Sequence, residues 1–174
     1  MISLKASAAA VVFLLMTPVS TSLADEIGKS LNHKIEVPIS DVPPEVLAVA
    51  RAKRPALTFT EAEKEMRGGR QYFDIEGHDG AGNEIELDIM LGETGWIVVE
   101  IQRDVTWSEV PERVRDTLLA NVPGVTPDRI IESDQDNGTI IYEFFVRDSA
   151  GKEAKYEVSL TGEDAAFLKE EWQH

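Results

Sequence analysis

The chain has 174 residues, 43% of them hydrophobic, no cysteine, and 32 acidic against 17 basic side chains, for a formal charge of −15. That balance argues against nucleic acid, whose binding needs Lys and Arg to neutralise phosphates, and against adhesion to anionic lipid. With no cysteine there is neither a disulfide nor a thiol nucleophile, so stability must come from burial.

In chain order, residues 1–24 read as a secretory signal peptide. Lys5 gives a positive start, residues 8–16 form an uncharged apolar run, and Ser22-Leu23-Ala24 supplies the small residues read by a signal peptidase. Cleavage is expected between Ala24 and Asp25. The apolar run is shorter than the roughly 20 residues that span a bilayer, and there is no cysteine to carry a lipid. The expected location is the periplasm or the outside of the cell, with no membrane span. The leader holds one base and no acid, so the remaining 150 residues would carry −16.

Residues 25–40 show no clear period and read as a lead-in segment. The first module, 41–104, opens with Asp41 as a candidate N-cap and Pro43-Pro44 in a first helical turn. Val46, Leu47, Val49 and Ala50 form an apolar stripe, and the helix is expected to stop before Pro55. Strands follow at 57–66, 71–77, 84–89 and 96–101. Gly68-Gly69 marks a hairpin. The run 84–89 alternates acid and apolar side chains without exception, which predicts one buried face and one wet face.

The second module, 105–174, repeats the plan. Ser108 is a candidate cap for a helix reaching about Asn121. Strands are expected at 129–134, 140–147, 152–160 and 165–172, with a partly helical alternative for the last. Asn137-Gly138 is a second hairpin signal.

The two modules share landmarks. Asp79-Gly80-Ala81-Gly82-Asn83-Glu84 returns as Asp148-Ser149-Ala150-Gly151-Lys152-Glu153, and Gly69 and Leu91 return as Gly138 and Leu160, all at a shift of 69. Val42-Pro43 and Pro55 return as Val110-Pro111 and Pro123 at a shift of 68. Repetition on this scale marks a duplicated supersecondary unit. The expected fold is α+β, with two tandem modules, each one helix packed on a four-stranded antiparallel sheet.

The succession of Val-Pro, helix, Pro, strand, Gly, aromatic-acid-apolar and Asp-x-x-Gly-x-Glu resembles the PepSY-like domains of exported bacterial proteins. It is carried by Phe73-Asp74-Ile75 and Asp79 to Glu84 in the first copy and by Tyr142-Glu143-Phe144 and Asp148 to Glu153 in the second. The tandem plan is similar to that of the beta-lactamase inhibitory proteins, where two helix-plus-sheet units form one concave sheet surface. The resemblance implies a binding or inhibitory role toward an envelope or extracellular enzyme. The disulfides those inhibitors rely on are absent here.

No catalytic constellation emerges. His33, His78 and His174 occupy no metal-ligand or base-plus-nucleophile spacing. Asp134-Gln135-Asp136-Asn137-Gly138 begins like an EF-hand loop but puts glycine at the fifth position, so it reads as a turn. No cofactor and no metal ligand are assigned. Asp74, Glu76, Glu84, Glu86 and Asp88 are expected on the outer face of the first sheet, either as a docking face for a basic partner or as a solvated face that discourages sheet aggregation. Trp96, Trp107 and Trp172 are read mainly as packing residues.

The sequence therefore predicts an exported, non-enzymatic protein that binds a protein or peptide partner through its sheet face. An acidic cation-binding or stress-buffering protein is the alternative. The partner and the oligomeric state are not encoded in any motif.

Overall fold

The computed structural model describes residues 33–147 and 151–172. The expected signal peptide, its cleavage position at Ala24 and Asp25, most of the lead-in, Asp148-Ser149-Ala150 and His174 lie outside the described residues.

The described residues form nine strands and two helices. They are β1 (His33–Glu36), α1 (Pro44–Lys53), β2 (Thr58–Arg67), β3 (Arg70–His78), β4 (Glu84–Gly92), β5 (Gly95–Asp104), α2 (Glu112–Asn121), β6 (Arg129–Asp134), β7 (Thr139–Arg147), β8 (Glu153–Thr161) and β9 (Asp164–Phe167). A single 3-10 turn, Ile39–Asp41, precedes α1. Both helices begin on proline. Pro43 and Pro111 hold the N-cap positions without a side-chain cap, so neither Asp41 nor Ser108 caps a helix. The fixed φ of proline starts these helices in place of a capping oxygen.

All nine strands form one antiparallel sheet in sequence order. This corrects the expected α+β fold of two tandem modules, each one helix on its own four-stranded sheet. β5 and β6 pair from Ile101↔Asp134 to Asp104↔Ile131, which carries the ladder without a break from one repeat to the next. β1, drawn from the expected lead-in, pairs with β2 and adds an edge. The reason is general: a separate sheet would leave the facing edges of β5 and β6 with unpaired backbone groups, and joining them satisfies both.

The apolar side chains gather in two clusters on the helix-bearing face. Val46, Leu47 and Ala50 of α1 pack with Phe73, Ile75, Leu87, Ile89 and Ile101. Val114 and Leu118 of α2 pack with Ile130, Tyr142, Phe144 and Val158. Trp96 meets Phe73 edge-on at 5.3 Å, and Trp107 meets Phe144 at 6.2 Å. No helix among the described residues is long and apolar enough to cross a membrane.

Candidate functional site: an acid row in a polar hollow

The other face of the sheet bears the even-numbered side chains of β3 and β4, because strand residues alternate between faces. Pairing sets these in rows. Glu36 of β1 lies opposite Glu63 of β2, Glu63 opposite Asp74 of β3, Asp74 opposite Asp88 of β4, and Asp88 opposite Glu100 of β5. In the next row Glu61 faces Glu76 and Glu76 faces Glu86. Like charges directly opposite one another destabilise a sheet, so this row works against folding unless something answers it.

The face is not an open wet surface. Asp74 and Asp88 are each 2% exposed. Of the remaining expected docking residues, Glu76 and Glu86 are half-buried and Glu84 is exposed. A cavity of about 640 Å³ covers the row from Asp74 to Glu100, lined by side chains from Lys34 of β1 through Asp74, Asp88 and Glu100 to Lys155 and Glu157 of β8. Strands are spaced about 4.8 Å apart, so β1 and β8 would lie roughly 34 Å apart in a flat sheet. Their side chains share one hollow because the sheet is twisted and coiled. The C-terminal segment closes one side. The Trp172 backbone N–H donates to Glu157 Oε2 at 2.7 Å, and its indole Nε1–H donates to Gln135 Oε1 at 2.7 Å.

The two halves of the hollow handle charge differently. In the second half Lys155 pairs with Glu157 at 2.8 Å, with Glu143 at 3.4 Å and with Glu171. In the first half the bases stand at the border. Lys34 pairs with Glu63 and lies 3.3 Å from Asp74 Oδ2. Arg67 pairs with Glu65 at 2.6 Å, lies 3.4 Å from Asp88 Oδ2 and sits over the Tyr72 ring. Glu100 accepts from Ser133 Oγ and, at 2.9 Å, from Gln135 Nε2. Both oxygens of Asp74 and Oδ1 of Asp88 are buried and accept no hydrogen bond. The Lys34 ammonium stands as an ion pair 3.3 Å from Asp74 Oδ2.

Protonation follows from this packing. Burial, then the neighbouring Asp74, pushes the Glu86 carboxyl up to about 7. Burial, then Asp74, Glu100 and Glu86, raises Asp88 well above the usual carboxylate range, with Arg67 opposing. Burial also raises Asp74 in spite of Lys34. Desolvation disfavours the charged form and crowded carboxylates disfavour it further. One oxygen from each of Asp74, Glu86 and Asp88 lies within 4.8 Å of the other two.

Sequence reasoning placed the acids of β3 and β4 on one outer face, as either a docking face or a solvated one. It missed Glu100, Lys34 and Arg67, and read Trp172 mainly as a packing residue. Glu100 lies beyond a register shift between Asp88 and Ile89, Lys34 in a segment without periodicity, Arg67 one residue past the expected strand 57–66, and Trp172 beyond the end of β9. No family model, curated protein or solved structure matches the chain. The PepSY-like resemblance thus rests on the residues quoted for it.

Proposed function

We propose that this is an exported, PepSY-like, non-enzymatic binding protein that regulates an envelope or secreted enzyme through the polar face of its sheet. The observation that carries the reading is the row Asp74, Asp88 and Glu100 facing a hollow of about 640 Å³. A row of opposed acids lowers stability, and a site that opposes stability is where function is sought. The complementary partner group is cationic, such as a lysine or arginine side chain entering the hollow.

The test is affinity capture from an envelope extract with the purified protein beside a Glu84/Glu86/Asp88→Lys variant. The expected result is one enzyme enriched by the wild type and lost with the variant, whose rate changes when the pure protein is added at equal concentration. Turnover of a peptide, ester or glycoside substrate by the protein itself, or identical capture by both forms, would overturn the reading.

Cation binding by the same face is the second reading. It is favoured by the buried oxygens of Asp74 and Asp88 that accept no hydrogen bond.

A further inference from the structure

We propose that Asp74, Glu86 and Asp88 hold one divalent metal ion of the calcium size on the floor of the hollow. This rests on the cation-binding reading and is independent of the docking one. The three carboxylates come from two adjacent strands whose pairing fixes their spacing. Asp74 and Asp88 are directly opposite, and Glu86 is the next residue on the same face of β4. Their ligand oxygens lie within 4.8 Å of one another. A spread of at most 4.8 Å lets all three oxygens stand at the calcium–oxygen distance of about 2.3–2.6 Å from one ion. Calcium is the ion chosen because it tolerates irregular geometry and added water, whereas magnesium demands a near-ideal octahedron. Carboxylate oxygens are the hard donors such an ion prefers.

A second observation points to the same place. Asp74 and Asp88 are 2% exposed, and three of their four oxygens accept no hydrogen bond. Buried polar atoms are nearly always bonded, so these are acceptors arranged for a ligand. The nearby bases do not fill the role. Lys34 and Arg67, engaged with Glu63 and Glu65, reach only Oδ2 of Asp74 at 3.3 Å and Oδ2 of Asp88 at 3.4 Å, which leaves Oδ1 of each aspartate unanswered. Glu100 is turned toward Ser133 and Gln135. The rest of the coordination shell falls to water in the hollow.

Calorimetric titration and thermal melts of chelator-treated protein with calcium, magnesium and manganese chlorides test this. The expected result is one calcium per chain with a dissociation constant of ~10⁻⁴ to 10⁻³ M, as in extracellular calcium modules. At tenfold excess over that constant the melting temperature rises by about 3–6 °C. Asp74→Asn/Asp88→Asn abolishes both effects, Glu86→Gln weakens binding about tenfold or more, and Glu84→Gln leaves it unchanged. Calcium binding that survives the double substitution would overturn the assigned site while keeping the cation reading. Equal affinity for magnesium would overturn the choice of ion. No saturable binding of any of the three ions would overturn both the site and the cation reading.

Discussion

Asp88 stands between Asp74 and Glu100 in the acid row, 2% exposed, with Arg67 no nearer than 3.4 Å. A charge held this way costs more in lost hydration and repulsion than so distant a base returns. Asp88→Asn keeps the shape and removes the charge, while Arg67 retains Glu65 at 2.6 Å. Without metal and at alkaline pH, where Asp88 is driven to ionise, the variant is expected to be more stable by about 1 kcal/mol, which thermal or urea unfolding would register. A loss of stability would mean that Arg67 and Asp88 form a productive pair.

The pH response has a definite sign. Glu86 is raised to about 7 in the folded protein, against about 4.3 unfolded. The stability this proton gives is complete below the unfolded value and is lost as pH rises through the folded value. In metal-free buffer the melting temperature should therefore fall between about pH 5 and 7.5, with Asp74 and Asp88 acting in the same direction. Asp79, held low by hydrogen bonds from Asn83, and Glu109, held low by Thr106, act only below this window. Glu86→Gln should flatten the profile, and a rise with pH in the wild type would overturn the assignment. Alternation was enough to put Asp74, Glu86 and Asp88 on one face. Their burial depends on the coiling of nine strands, which no local pattern records.

At the scale of the element, Gly77 shows how tightly β2 and β3 meet. A Cβ there would lie 2.8 Å from the Thr58 carbonyl oxygen and 3.2 Å from Phe59 Cδ1, beside a register shift between Phe59 and Glu61. Backbone cannot turn aside as a flexible side chain can. Gly77→Ala is expected to cost about 1–3 kcal/mol, seen as a lower urea midpoint with unchanged slope. An unchanged midpoint would show that the bulge relaxes freely. The clean acid–apolar alternation of 84–89 made β4 legible, and Gly68-Gly69 made its hairpin legible because both residues adopt positive φ. β1 was hidden because His33-Lys34-Ile35-Glu36 is too short to show a period. The helix starts were misassigned because proline geometry and a polar cap leave similar traces in sequence.

For the whole molecule, duplication in the sequence announced two similar halves, and two apolar clusters result. The repeat could not reveal that the halves share one sheet, because the β5–β6 ladder is made by backbone groups. Side-chain contacts cross the same boundary. Arg103 bonds Glu132 at 2.8 Å, Glu100 accepts from Ser133 and Gln135, and Lys53 of α1 pairs with Asp136. Leaving Ser133 and Gln135 without Glu100 would cost about 1–3 kcal/mol, so each half stabilises the other. The halves should therefore unfold together. Two tryptophans make this measurable, since Trp96 packs on Phe73 in the first cluster and Trp107 on Phe144 in the second. With Trp172→Phe as the background, Trp107→Phe leaves a reporter in the first half and Trp96→Phe leaves one in the second. Each variant's fluorescence midpoint should coincide with its own midpoint by circular dichroism. Fluorescence that departs from circular dichroism in either variant would mean that the two repeats, though joined by one ladder, still unfold as separate units.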